Sequence, residues 1–434
     1  MTSRLARLVT VLLLLATAGC GGQAGTPRPS SSPTPGTTTP SGTTAPSGSA
    51  TPSPSGSTAP PGTASGPTTA APSSTSASPE PSRSADPTAP SGRELLERMT
   101  LEEKVGEIIM VGVPVSGGRD TAAAVIQEHH VANIFLHGRT QAGQAPVRRL
   151  VVDFRTLGAA ENPRDPLMLV ATDQEGGTVQ VLRGDGFSDL PSAVDQAAMS
   201  PDELRRNAET WGAELADVGV NLNLAPVADV VLAASAASNA PIGANRRNYG
   251  YTLDSVVAGS VAFGQGQRAA GVATAPKHFP GLGLVVGNTD TATDVTDTVT
   301  GPDAKSVAAF AANVESGSEF VMMSSAVYTK IDAERPAVFS PAAIDLLRDD
   351  LGFDGVIMTD DLAAAAQVQA WTPGDRAVLA VEAGVDLVLA SADPTTAAPM
   401  AQALVERAER DPGFASRIDE AAARVLTAKS ALIG

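Results

Sequence analysis

After residue 92 this chain alternates, eight times over, a short apolar run with a longer amphipathic one, and that rhythm restricts its fold more than any other feature. The short runs are Ile108–Val113, Ala132–Leu136, Leu167–Thr172, Asn221–Val227, Val272–His278, Phe320–Ser325, Gly355–Asp360 and Asp386–Ala390. They are mostly apolar and often bounded by Gly or Pro, as strands buried on both faces are. Between them fall helical patterns: Glu94–Val105, Ala122–His129, Val147–Leu157, Pro201–Val218, Leu253–Ala270, Ala304–Glu315, Pro341–Asp350 and Pro373–Ala383. Thr396–Ile433 also reads as helical, with Ala and Leu on one face. The order predicts the α/β class and a single (β/α)8 TIM-type barrel. An open doubly wound sheet is the alternative. It would gather polar residues at one switch point, whereas here they cluster at the C-terminal ends of many strands.

Only residues 92–434 are expected to fold, a span that suits one large barrel. Residues 1–20 read as a secretory signal, with Arg4 and Arg7 before the apolar Leu8–Ala16. Small residues Thr17-Ala18-Gly19 then precede Cys20, the chain's only cysteine. Its place resembles a bacterial lipobox, although Thr17 stands where leucine is usual. The expectation is a lipid-anchored, extracytoplasmic protein held at the cell membrane, with no disulfide. Residues 22–90 contain no Val, Ile, Leu, Met, Phe, Tyr or Trp, so they have nothing to bury against the entropy of ordering. Residues 21–91 are therefore read as a disordered, Pro-rich tether. The formal charge of −17 falls wholly after residue 91. That balance argues against nucleic-acid binding and against electrostatic docking on anionic lipid.

Charged groups at strand ends mark where chemistry is expected. Lys277 and His278 end the fifth run and continue into Phe279-Pro280-Gly281-Leu282-Gly283. Asp360 ends the seventh, with Asp361 beside it as the alternative reactive group or as a helix cap. Asp173 ends the third, in Asp173-Gln174-Glu175-Gly176-Gly177, which is also good turn chemistry. Arg247 lies in Ile242-Gly243-Ala244-Asn245-Arg246-Arg247-Asn248-Tyr249-Gly250. No Gly loop followed by Lys-Ser/Thr opens a helix, so no cofactor is expected.

These segments together resemble glycoside hydrolase family 3, in its single-domain bacterial β-N-acetylglucosaminidase branch. The resemblance covers residues 94–432. It starts at Leu95-Leu96-Glu97-Arg98-Met99-Thr100, passes through Asn223-Leu224-Ala225-Pro226-Val227-Ala228-Asp229-Val230, and ends at Ala383-Gly384-Val385-Asp386. It implies that Asp360 is the nucleophile. Lys277 and His278 would bind hydroxyls of the reacting sugar, Asp173 would hold hydroxyls far from the anomeric carbon, and Arg247 would contact substrate, with Arg246 replacing it if the register slips by one.

The chain departs from the family pattern at four places. Val181 stands where the branch usually has Arg, and Arg183 is a candidate replacement. Ser325 stands where relatives often have His. The loop after Gly283 lacks the histidine that serves the branch as acid/base: ungapped, Asn288 falls at the position of its orienting Asp and Asp290 at that of the His. Asp290 is the leading acid/base candidate and Asp294 the second, because burial or a neighbouring carboxylate can raise a carboxyl pKa enough for the role. His129, His130 and His137 match no family site and no metal-ligand spacing.

The resemblance implies a retaining exo-β-N-acetylglucosaminidase, acting as a monomer on β-linked N-acetylglucosamine in cell-wall (peptidoglycan) fragments. The alternatives are a phosphorolytic or other β-glycosidase of the family and an inactive sugar-binding lipoprotein. The two-domain β-glucosidases of the family take their acid from a later domain, which is not expected here.

Overall fold

In the computed structural model, residues 92–162 and 167–432 are described. The signal, Cys20 and the tether lie outside them. All eight apolar runs carry strands: β1 (Ile109–Pro114), β2 (Asn133–His137), β3 (Leu169–Thr172), β4 (Leu222–Asn223), β5 (Ala273–Thr274), β6 (Lys277–Phe279), β7 (Phe320–Met323), β8 (Val356–Thr359) and β9 (Val388–Ala390). The fifth run is split in two. Pro276 has no N–H to give to the ladder and separates β5 from β6. Pro226 likewise cuts the fourth run short, leaving Val227 as an isolated parallel partner of Lys277. Both prolines still accept through their carbonyls, from Met322 N (3.0 Å) and Lys277 N (3.1 Å).

The strands form two parallel sheets, ordered β9–β1–β2–β3–β4–β5 and β8–β7–β6. β8 and β9 meet at a parallel bridge, Met358 to Leu387, and Thr359 N donates to Leu387 O at 3.0 Å. Alternate residues point to opposite faces. One face of every long strand feeds a single cluster that includes Met110, Phe135, Leu169, Leu222, Phe320, Met358 and Leu389. The other face, including Val111, Ile134, Val170, Val321 and Ile357, packs with the helices.

The helices begin where the sequence supplies caps. Thr100 and Glu103 form a reciprocal capping box, which breaks the expected helix Glu94–Val105 into Gly92–Leu96 and Leu101–Glu107. Thr372 caps Pro373–Ala383, and Gly384, at φ 117°, ends it. The expected helix Pro341–Asp350 is α-helical only to Asp345 and continues as a π-turn, Leu346–Asp350. The C-terminal stretch is two helices, Ala397–Arg410 and Pro412–Ala431. Pro412 cannot continue the first, and the Asp411 side chain caps the second. Val425 of the last helix joins the interior cluster.

Candidate active site

At the C-terminal ends of these strands lies a cavity of about 290 Å³. Asp173, Arg247, Lys277, His278, Asp290 and Asp360, brought from five separate segments, all line it, over an apolar floor that includes Phe135, Leu224, Met322 and Leu389. A larger cavity of about 600 Å³ adjoins it and shares Phe135, Asp173, Asp290, Ser391 and Ala392. Asp290 thus stands on the border between the two spaces.

One wall is a compensated charge network. Lys277, 3% exposed, reaches Asp173 Oδ1 at 2.6 Å and Glu175 Oε1 at 2.7 Å. Arg247 grips Glu175 with two prongs, Nη2 to Oε1 at 2.7 Å and Nε to Oε2 at 2.9 Å, and donates to Pro241 O. Burial pushes the Glu175 carboxyl up, but the two cations and their hydrogen bonds outweigh it and hold the group at about 2. Burial lowers Lys277 as well, and Asp173 and Glu175 more than reverse that, so its pKa is raised.

His278 is held by a buried carboxylate. Asp229 Oδ2 lies 2.8 Å from His278 Nδ1, while Oδ1 accepts from the backbone N–H of His278 (3.3 Å) and of Leu282 (2.7 Å). This contact assigns the proton to Nδ1 and leaves Nε2 as the free ring nitrogen. The turn between requires glycine: Gly281 sits at φ 134°, and a Cβ there would lie 2.5 Å from that of Ser306.

The opposite wall is uncompensated. Asp360 is half-buried, and desolvation pushes its carboxyl up, helped by the Asp290 charge and opposed by His278, the Asp361 N–H and Lys277; the result is about 6. Asp361 has a different environment. Its carboxylate accepts from Ala363 N (2.9 Å), Ser391 N (2.8 Å), Ala364 N (3.3 Å) and Ala392 N (3.3 Å). Asp361 also lines the cavity, but four backbone donors occupy its carboxylate, whereas Asp360 accepts from the Asp361 N–H alone. A half-buried carboxylate and a second carboxyl facing one cavity are the groups that acid-assisted displacement needs.

Several secondary candidates lie away from the cavity. Arg183 does not replace the missing Arg at 181: its guanidinium is spent on Asp189 and Gly177 O, each at 2.7 Å. Arg246, at φ 57°, pairs with the exposed Asp195 instead of entering the cavity. Asp294 is exposed and lines neither cavity. Ser325 is buried and also lines neither. The loop that carries Asp290 accepts hydrogen bonds from the backbone N–H groups of residues 366 and 367.

Sequence reasoning missed three groups. Glu175 and Asp229 stood inside quoted motifs, each a carboxylate in or just after an apolar run, but nothing in spacing alone says which group faces it. His137 ends β2, stacks on Phe135 (6.4 Å between centroids) and lines the larger cavity.

Residues 100–428 match the family model described as Glycosyl hydrolase family 3 N terminal domain. A β-hexosaminidase of Methylococcus capsulatus is 33% identical over 310 residues, covering 69% of this chain and 87% of that protein. The crystal structure of a β-N-acetylhexosaminidase from Beutenbergia cavernae is 52% identical, with a TM-score of 0.75, covering 76% of this chain and 98% of that one. A family 3 β-N-acetylglucosaminidase from Paenibacillus is 29% identical, with a TM-score of 0.69, covering 77% of this chain and 64% of that one. Motif order, strand-end site and these likenesses agree, and the chain belongs to glycoside hydrolase family 3.

Proposed function

We propose that this protein is a retaining exo-β-N-acetylglucosaminidase that removes terminal β-linked N-acetylglucosamine from cell-wall fragments. The observation that carries the reading is the position of Asp290 on the border of two cavities, with Asp360 lining only the smaller one. A small cavity suits one sugar, and the larger one suits the group it is attached to. An acid between them stands where the leaving oxygen must be protonated.

In this mechanism the ionised Asp360 attacks the anomeric carbon as the bond to the leaving oxygen breaks. Asp290 gives its proton to that oxygen. The glycosyl-aspartate ester is then attacked by water, which loses a proton to Asp290, and Asp360 departs as carboxylate. Lys277, His278, Asp173 and Arg247 hold the sugar hydroxyls. The fixed Nδ1 proton of His278 directs its free Nε2 toward the ligand. The two parallel sheets, read as one ring closed through β8–β9 and β5–β6, keep these groups at one mouth. Extracytoplasmic tethering through a lipid on Cys20 would bring the enzyme to peptidoglycan.

The test is aryl release from an aryl β-N-acetylglucosaminide and from the matching β-glucoside, each with and without phosphate. The expected result is release from the N-acetyl substrate alone, with free sugar as product. Equal release from both would overturn the substrate assignment, and sugar 1-phosphate would overturn hydrolysis. Mass spectrometry of the membrane fraction should find Cys20 acylated; an unmodified thiol would sink the anchor.

A further inference from the structure

The loop that carries Asp290 is exposed along Asp290–Asp294 except for the half-buried Ala292, yet its ends are fastened. Four of its hydrogen bonds join it to one short turn, Ala366–Val368, only six residues past Asp360, while Val327 N also donates to Val295 O at 3.0 Å. Gln367 N donates to Thr289 O at 3.0 Å, and Ala366 N donates to Asp290 O at 3.2 Å. Farther along the loop, Val295 N donates to Gln367 Oε1 at 2.9 Å, and Gln367 Nε2 returns a bond to Val295 O at 3.3 Å. The Gln367 amide therefore copies a strand partner, offering one acceptor and one donor to a single residue's backbone. It is 6% exposed, with Val295 and Val368 buried beside it. A glutamine so placed is not a solvated surface group, since an amide buried with both ends bonded locks the segments it joins. Within the loop, Asn288 Oδ1 accepts from Asp290 N at 3.0 Å and completes the local turn.

We infer that Gln367 is a positioning residue: it latches the Asp290 loop to the turn behind Asp360 and so sets the distance between the acid and the nucleophile. The inference rests on the reading of Asp290 as acid/base. It also supplies what the altered loop lost. Where the branch relies on an Asp–His pair to aim its acid, this chain aims a shorter carboxyl by fixing the backbone beneath it. Such a device acts on proton transfer to the leaving group and leaves sugar binding alone.

Two variants isolate the latch. Gln367→Met keeps the volume and removes both side-chain bonds. Ala366→Pro removes only the N–H that Asp290 O accepts. Ala366 opens a turn of helix, where proline is tolerated, and Ala365 before it is extended (φ −57°, ψ 123°), as a residue preceding proline should be. The second variant decides the question if the first does not fold. Each is assayed on a dinitrophenyl β-N-acetylglucosaminide, whose leaving group needs no proton, and on diacetylchitobiose, whose leaving group does, beside Asp290→Ala. The expected result is a fall in kcat/KM of about 10- to 100-fold on the disaccharide and under about threefold on the aryl substrate, in the same direction as Asp290→Ala but smaller. If Asp290→Ala shows this selectivity and the latch variants lose both activities equally, or neither, the latch is overturned while the acid stands. If Asp290→Ala itself is unselective, the acid assignment and the latch fall together.

Discussion

The two walls of the sugar cavity treat carboxylates in opposite ways. Glu175 is buried and Asp360 half-buried, yet the first is held at about 2 and the second is pushed to about 6. The difference lies in their partners. Glu175 faces Lys277 and Arg247 at hydrogen-bond distance, whereas Asp360 has a single backbone donor and a neighbouring carboxyl. The first wall is built to stay charged and still. The second leaves the proposed nucleophile poorly solvated, which raises its pKa and costs stability.

The largest effect expected from breaking this contrast is at Asp360. Asp360→Asn should lower turnover by at least about 10⁴-fold. The same variant should unfold at a higher temperature at pH 8. A carboxyl whose folded pKa is raised is penalised once pH climbs from its unfolded value, near 3.8, through about 6. Removing the charge returns up to about 3 kcal/mol at pH 8 and almost nothing near pH 4. Thermal melts at the two pH values check this, and a variant less stable at pH 8 would contradict it.

On the other wall the sign reverses. Lys277→Met or Arg247→Met strips Glu175 of a partner in a buried site and should cost about 3–5 kcal/mol in urea unfolding. The wild-type contribution from Glu175 is present above its unfolded value, near 4.5, and is lost as pH falls toward 2. Acid unfolding of either variant should accordingly begin at higher pH than in the wild type.

A smaller effect connects the walls to catalysis. The acid limb of kcat/KM should lie near pH 6, where Asp360 ionises. Asp290→Asn removes a negative neighbour and should move that limb to lower pH, read on an activated aryl substrate. A limb that stays in place would show that Asp290 does not act on Asp360. The smallest effect belongs to Arg183→Met. Its ion pair is with Asp189, whose side chain is 86% exposed, and should be worth under about 1 kcal/mol, with KM unchanged.

The strand pattern was legible because strands buried on both faces leave short apolar runs, and their length and flanking Gly or Pro set them apart from buried helix. Its breaks were not, because Pro226 and Pro276 interrupt pairing while their carbonyls preserve it. The cavity-lining residues Asp173, Arg247, Lys277, His278, Asp290 and Asp360 came from motifs whose order along the chain identifies strand ends. Position alone could not separate Asp360 from Asp361, since two adjacent carboxylates differ only in who donates to them; the resemblance pointed to Asp360. Glu175 and Asp229 went unassigned for the same reason: their partners lie 72 and 49 residues away. His137 ends a strand just as Asp360 does, but its motif carries no chemistry of its own.

The four donors on Asp361 come from two loops, residues 363–364 and 391–392, and Ser391 and Ala392 wall both cavities. Cutting that tie lets the partition between the cavities drift. An alanine scan would therefore score Asp361 as essential beside Asp360, for an unrelated reason. The two defects separate by what each spares: without Asp360 the protein still binds its sugar and cannot cleave it, whereas without Asp361 it keeps its reagents and loses the shape that brings a substrate to them.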